Sequence, residues 1–357
     1  MRVYNFSAGP STLPLNVLEQ ARDEFLDFAC TGMSVTEISH RDKAFAAVVA
    51  EAESLVRELL KVPDDYAVLF VQGGASTQFA AIPLNMMHNK KADYIVTGNF
   101  AKKAWQEGKI YGEAVKIGDS SDKTYTYIPD VDTLPYSDDA DYVHITSNNT
   151  IFGTRYVKFP KCKAPLVADM SSEIFSREVN VADFGVIYAG AQKNLAPAGV
   201  TIVIAKRSLI QDPLPICPTM LKWKIQDENG SLYNTPPCFS IYMADLVLRD
   251  LKAKGGVKAM NETDEYKAGL LYDFIDNSKL FKNNVVKEFR SIMNVPFVTP
   301  SAELDAKFIA EAKSAGLVSL KGHRLVGGMR ASIYNAMPVE GVKALIEFMK
   351  KFELENK

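Results

Sequence analysis

The chain has 357 residues, 47% of them hydrophobic and 24% charged, with a formal net charge of -2. That balance excludes a disordered chain, and charges of both signs, interspersed without a basic block, argue against nucleic acid or a membrane surface as partner. The length predicts about two domains, enough to bury a sizeable core without disulfide staples.

Four cysteines (Cys30, Cys162, Cys217, Cys238) and four histidines (His40, His88, His144, His323) show neither CxxC nor HExxH spacing. No metal or redox motif is expected, and reduced thiols point to a cytoplasmic protein. The first ten residues contain no apolar h-region, and no apolar run reaches the ~20 residues of a membrane span.

In chain order, residues 1–14 hold Gly9, Pro10 and Pro14 and predict an extended arm. Residues 15–32 have helical spacing, with Gly32 as the stop. A loop carrying His40-Arg41 leads to a long amphipathic helix at 43–60. An apolar strand at 66–71 runs into Gln72-Gly73-Gly74-Ala75-Ser76-Thr77 and a helix at 78–87. Strand, glycine turn and helix start form an anion site, because free N–H groups and the positive end of the dipole converge there. It is neither a GK[ST] phosphate loop nor GxGxxG, and a plain strand-to-helix turn is the alternative.

Alternation continues with strands at 94–97, 142–146 and 165–169 and a helix at 102–110. Next comes Val186-Ile-Tyr-Ala-Gly-Ala-Gln-Lys193-Asn-Leu-Ala-Pro-Ala-Gly-Val200 and a further strand at 200–205. Such alternation predicts an α/β fold, with a large domain built on a mostly parallel sheet flanked by helices (residues 15–257). Helices at 239–252, 261–276 and 340–352 and strands at 286–290 and 330–333 predict a smaller C-terminal α+β domain (residues 258–357), joined by the arm 1–14.

Ligands of such sheets sit beyond the carboxyl ends of the strands. There the sequence places Ser76, Phe100, Thr150, Asp169 and Lys193. Lys193 stands alone among small and apolar neighbours. Desolvation disfavours its charged form and makes a nucleophilic amine available, the chemistry of a Schiff-base lysine holding pyridoxal 5'-phosphate. A loop lysine with small neighbours is the alternative. That cofactor also needs a carboxylate at its ring nitrogen, a flat side chain on its ring and donors for its phosphate. Asp169, Phe100 and the Gly73–Thr77 turn match those needs, although Asp169 can also cap a turn and Phe100 can be ordinary core. Arg41, Arg324 and Arg330, with His40 and His323 beside two of them, are candidate holders of a dianionic substrate.

On these residues the sequence resembles the phosphoserine aminotransferases, class V aminotransferases of pyridoxal-phosphate fold type I. The resemblance spans the whole chain. Its carriers are Asn5-Phe6-Ser7-Ala8-Gly9-Pro10, Ser39-His40-Arg41, Ala168-Asp169-Met170-Ser171-Ser172, Gln192-Lys193-Asn194, Asn234-Thr235-Pro236-Pro237 and Gly327-Gly328-Met329-Arg330-Ala331-Ser332. It implies that Lys193 binds the cofactor and that Asp169 holds the pyridinium. Phe100 takes the stacking place, where some members carry tryptophan. Ala75, Ser76 and Gln192 serve the phosphate, Thr150 touches the ring, and Asn234 and Thr235 reach the phosphate of the neighbouring subunit in a homodimer with shared sites.

Arg330 is implied to hold the substrate α-carboxylate. His40, Arg41, His323 and Arg324 are implied to hold the phosphate of phosphoserine or the side-chain carboxylate of glutamate, the first pair donated across the dimer. The implied activity is transamination between O-phosphoserine/3-phosphohydroxypyruvate and glutamate/2-oxoglutarate in serine biosynthesis, extending to 4-phosphohydroxythreonine in pyridoxine biosynthesis. Ser76 and Ala8 depart from members with arginine and serine there. A serine–glyoxylate-type transaminase and a non-catalytic phosphometabolite-binding protein remain the competing readings.

Overall fold

In the computed structural model, which describes residues 2–356, the apolar runs form a seven-stranded sheet with helices on both faces. The arm carries β1 (Tyr4–Asn5) and leads to α1 (Leu15–Asp23). This helix is shorter than the 15–32 helix predicted. It closes at Glu24, and Phe28–Cys30 is a tight turn with Ala29 and Cys30 at φ 52° and 57°. The pull is tertiary: Phe28 is buried edge-on against Tyr242, ring centroids 5.3 Å apart.

Helix α2 (Lys43–Leu60) starts where Asp42 accepts a hydrogen bond from the Ala44 N–H at 2.8 Å. Its Phe45, Val48, Val49, Ala52, Leu55 and Val56 recur at helical spacing and are buried. Then follow β2 (Tyr66–Val71), α3 (Gly74–Met86), β3 (Lys91–Val96), α4 (Asn99–Gly108) and β4 (Glu113–Asp119). The next strands are β5 (Val143–Thr146), the small ribbon β6 (Asn148–Asn149) with β7 (Thr154–Arg155), β8 (Leu166–Asp169), β9 (Val186–Gly190) and β10 (Thr201–Lys206).

The sheet order is β2-β10-β9-β8-β5-β3-β4. Only β10 runs antiparallel to its neighbours, so the carboxyl ends of the other six strands share one edge. Alternate residues of β2 face opposite cores, Val68 and Phe70 on one side, Ala67, Leu69 and Val71 on the other. Sequence reading misses β4 because it is an edge strand of mixed exposure, with only Ile117 buried.

Helices α5 (Trp223–Glu228), α6 (Cys238–Ala253) and α7 (Gly256–Asn277) follow. Gly255, at φ 96°, separates α6 from α7 and sits at the start of the latter. The second core contains β11 (Asn294–Phe297), α8 (Ala302–Ser314), β12 (Leu317–Val318), β13 (Met329–Ser332) and α9 (Val339–Glu355). The predicted strand at 286–290 is a short 3-10 turn, Lys287–Phe289. The strand forms later because buried Asn294 pins it, donating to Ser332 Oγ at 3.0 Å and accepting from Asn148 Nδ2 at 2.9 Å.

Phe281, Phe297, Phe308 and Phe352 pack edge to face in this second core. Truncating a fully buried phenylalanine such as Phe308 to alanine costs about 3–5 kcal/mol. Phe6 lies in the same core, and β1 pairs with β12. A buried ion pair, Asp264–Lys267 at 2.8 Å, anchors α7 to the chain after β13. The Lys267 ammonium also donates to the carbonyls of Ile333, Tyr334 and Met337 at 3.1, 2.9 and 3.0 Å.

Candidate active site

Three neighbouring strands deliver the site. In register, Thr146 of β5 lies beside Asp169 of β8, which lies beside Tyr188 of β9. Each strand then breaks at the same edge, β5 toward Thr150, β8 at Asp169 and β9 toward Lys193. The Lys193 loop is held from below, where the Leu195 and Ala196 N–H groups donate to Ala191 O at 3.0 and 2.9 Å. The arm holds it from above: the Ser11 N–H donates to Gln192 O at 3.0 Å and the Ser11 hydroxyl to Lys193 O.

Lys193 Nζ donates to Thr150 Oγ1 at 2.8 Å and lies 5.3 Å from the centroid of the Phe100 ring. Burial, reinforced by the field of Arg330 and opposed by Asp169, brings its ammonium down to about 8. Burial likewise raises the Asp169 carboxyl above its ordinary range, against the pull of Lys193 and Ser171. The Ser171 N–H and hydroxyl both donate to Asp169 Oδ1, at 2.9 and 2.6 Å. Ser171 Oγ in turn accepts from the Gly190 N–H at 3.0 Å, locking the end of β9 to the carboxylate. Sequence reading missed Ser171 as a site residue; its place two residues after an acid at a strand end was the available signal.

Phe100 stands in the first turn of α4, set by Gly98. A Cβ at Gly98 would come within 2.4 Å of Asn149 Oδ1, so only glycine lets the helix start this close. Asn149 Nδ2 donates to Thr97 Oγ1 and Thr154 Oγ1, both at 3.1 Å, and braces the turn that carries Thr150.

The glycine turn after β2 puts Gly73 and Gly74 at φ 92° and 69°. A Cβ on Gly73 would meet Thr77 Oγ1 at 2.0 Å. The Thr77 hydroxyl donates to Gly73 O at 2.9 Å. Helix α3 therefore begins at Gly74, earlier than the predicted 78, and brings Ala75 and Ser76 into its first turn. No side chain caps it and no acid stands in that turn, so its N–H groups are free for an anion.

Arg330 on β13 reaches back to Thr150 O with Nη1 at 3.2 Å, while its buried Nε has no partner among the described residues. Burial lowers its guanidinium from the ordinary value. An orphaned buried donor of this kind calls for an anionic ligand. His323 accepts from the Leu325 N–H at Nδ1, 3.2 Å. Burial first, then the fields of Arg330, Arg324 and Lys103, pushes its imidazole below the ordinary value. With Nδ1 accepting, Nε2 is the nitrogen left to donate.

The structure therefore brings together Lys193, Thr150, Phe100, Asp169 and Arg330, with His323 and its exposed neighbour Arg324 in the field of Arg330. His40 and exposed Arg41 lie on the turn before α2, with no hydrogen bond to that group; His40 Nε2 is buried without a partner among the described residues. The Thr235 carbonyl accepts from Gln72 Nε2 and from Asn234 Nδ2, each at 3.2 Å. The Gln192 side chain packs against Gly9 and Gly190.

A ring bearing a phosphate fits this constellation. The uncapped helix end suits the phosphate, the Phe100 face suits the ring, and both bonds from Ser171 end on Oδ1 of Asp169, which leaves Oδ2 for a ring N–H. Fold and site together are those of a fold type I pyridoxal-phosphate enzyme.

Residues 3–345 match the family model described as aminotransferase class-V. A curated phosphoserine aminotransferase of Bacillus cereus is 57% identical over 358 residues, covering 100% of this chain and 99% of the relative. One from Streptococcus suis is 52% identical over 363 residues and fully covered in both chains. Among solved structures, the phosphoserine aminotransferase of Bacillus circulans subsp. alkalophilus superposes with a TM-score of 0.98 at 45% identity, covering 100% of this chain and 99% of its own. The pyridoxal-phosphate-bound phosphoserine aminotransferase of Trichomonas vaginalis gives 0.94 at 40%, covering 98% of this chain and 100% of its own. The chain belongs to the class V aminotransferase family.

Proposed function

We propose that this enzyme transfers an amino group between O-phosphoserine and 2-oxoglutarate, and in the reverse sense between glutamate and 3-phosphohydroxypyruvate, as a step of serine biosynthesis. One observation carries the substrate reading. Beside Lys193 stands Arg330, whose field reaches its amine, and the His323-Arg324 step lies in the field of the same Arg330; among the described residues no carboxylate forms a salt bridge with either arginine. Uncompensated cations beside a buried amine ask for a substrate that brings more than one negative charge.

The cofactor, when bound, supplies the carbonyl that carries the amino group and the sink for the electrons left at the substrate α-carbon. Lys193 holds it and, once freed by substrate, takes the α-proton on Nζ and returns it as general base and acid. Thr150 Oγ1 aims that amine. Asp169 holds the ring N–H and keeps it protonated. Phe100 covers one ring face, and the first turn of α3, with Ala75, Ser76 and Gln192 at hand, takes the phosphate. Arg330 grips the α-carboxylate through Nε and Nη.

We assign His323 and Arg324 to the substrate phosphate. His40, Arg41, Asn234 and Thr235 stand apart from the Lys193 group, so in our reading a partner subunit of a homodimer donates them. The same reading divides the chain into a large domain (15–257) and a small one (258–357 with the arm 1–14), and places the enzyme in the cytoplasm, where its four free cysteines stay reduced.

The test is the visible spectrum of the cofactor-loaded protein, before and after O-phosphoserine, with alanine as control. The expected result is a yellow band that collapses with O-phosphoserine and persists with alanine. A band that answers equally to both overturns the substrate assignment, and a protein that takes up no cofactor overturns the role of Lys193.

A further inference from the structure

The Phe100 ring is shared by two lysines. Lys193 Nζ lies 5.3 Å from its centroid and Lys103 Nζ lies 5.8 Å from it. Lys103 sits one turn further along α4, on the exposed side of the helix. No reading of the sequence marks it, because a lysine in the middle of a surface helix is ordinarily a solvated charge.

Its surroundings are not ordinary. Many lysines of this chain are paired with acids, as Lys91 is with Asp139, Lys116 with Asp119 and Lys224 with Asp212. Lys103 forms no salt bridge among the described residues. The acid at the favourable i+4 position, Glu107, instead accepts from the Tyr111 hydroxyl at 3.3 Å. Its charge reaches the 323–330 stretch instead: burial first, then Arg330, Arg324 and Lys103, lowers the His323 imidazole. The first turn of α4 is fixed by the close approach of Gly98 to Asn149, so the base of Lys103 is as rigidly placed as Phe100. Cationic side chains from two separate parts of the chain, α4 and the 323–330 stretch, thus act on His323, and among the described residues neither Lys103 nor Arg330 forms a salt bridge.

We propose that Lys103 is a specificity-determining residue, closing the α4 side of the substrate phosphate site opposite His323 and Arg324. The deduction rests on the transamination reading above and deepens it. A single carboxylate needs no such ring, because Arg330 alone is a bidentate partner for one. A phosphomonoester carries close to two negative charges near neutral pH, which rewards a further point charge that needs no fixed geometry. Lys103 therefore favours the phosphorylated substrate over glutamate, whose side-chain carboxylate bears half that charge. Lys103 supplies none of the groups assigned to hold the cofactor and only approaches the Phe100 ring, at 5.8 Å, so its loss leaves cofactor capture intact.

The test uses the cofactor-loaded enzyme and follows the loss of its visible band in single turnover, with O-phosphoserine and with glutamate, for wild type, Lys103→Gln and Lys103→Arg. In Lys103→Gln the half-saturating concentration of O-phosphoserine rises about five- to tenfold, the low end for a charge-assisted contact at an exposed site, while that of glutamate stays within about twofold. The limiting rate and the spectrum of the resting enzyme do not change, and Lys103→Arg recovers most of the loss. Inorganic phosphate, used as a competitor, loses affinity in Lys103→Gln in the same proportion. Equal losses for both amino donors, or no loss for either, overturn the proposal. A wild-type enzyme whose band ignores O-phosphoserine but answers to glutamate overturns the substrate reading as well, and is told apart because it fails before any substitution is made.

Discussion

Lys193 Nζ donates to Thr150 Oγ1 across 2.8 Å, and so ties the loop after β9 to the turn after β5. Thr150 also offers its backbone carbonyl to Arg330 from the second core. One threonine therefore links the Lys193 amine to the Arg330 guanidinium, the two groups we propose to work on the substrate and to hold it. Replacing Thr150 by valine keeps the volume and removes the acceptor. The expected outcome is a folded enzyme whose kcat falls about tenfold, the worth of one charge-assisted hydrogen bond near 1.4 kcal/mol. Equal kcat in steady-state assays would show that Lys193 is aimed by its backbone alone.

Lys193→Ala removes the residue we propose as both cofactor anchor and base. Turnover is expected to vanish while the protein stays folded, because the buried amine is a cost to stability rather than a support. Circular dichroism with a coupled assay checks this, and residual turnover near wild type would sink the assignment.

Asp169→Asn keeps the shape of the carboxylate and loses its charge. The two bonds from Ser171 to Oδ1 survive in that variant, so the fold is expected to hold. The rate is expected to fall by about a hundredfold or more, as when a preorganised charge is withdrawn from a developing one. The check is kcat measured at full cofactor occupancy.

The pH dependence of cofactor capture follows from the Lys193 ammonium at about 8 in place of its ordinary 10.5. Only the neutral amine attacks an aldehyde. In apoenzyme mixed with pyridoxal phosphate, the association rate should climb as pH rises toward 8 and level off above it. A free lysine would keep climbing to about 10.4. The stability sign is separate: the unfolded chain binds the extra proton between about 8 and 10.5, so this group's contribution to stability improves across that window and is constant below it. Stopped-flow absorbance and denaturant midpoints measure the two effects.

Gly73→Ala places a methyl at φ 92° and within 2.0 Å of Thr77 Oγ1. The turn must open, and the helix end we propose for the phosphate moves with it. Cofactor affinity is expected to drop at least about tenfold, with a stability loss of about 1–3 kcal/mol. Spectroscopic titration of the apoenzyme and thermal melts read both. A variant that binds as wild type would show that the turn is not the phosphate site.

Much of this protein was legible in its residues one after another. Apolar runs closed by turn residues gave six of the seven sheet strands, because a buried parallel strand is apolar on both faces and needs no partner to be recognised. Polar side chains at the ends of those runs marked Asp169, Thr150 and Lys193, because a polar or charged group among apolar neighbours costs energy unless it finds a partner. Local pattern was blind where energy comes from elsewhere. The edge strand β4 and the helix α8 bury few residues each, so their periodicity is weak. Helix α1 stops short because Phe28 gains more from Tyr242 than from another turn.

Residues act at a distance in the same way. Asn149, Ser11 and Lys103 carry no mark of their own, and each acquires its place from a contact many residues away or from a ring shared with Lys193. The sequence by itself determined which groups could do chemistry, since desolvation and charge are properties of a residue and its near neighbours. Tertiary structure alone decided which of them meet. That depends on the order of strands in the sheet and on where a second core places Arg330 and His323.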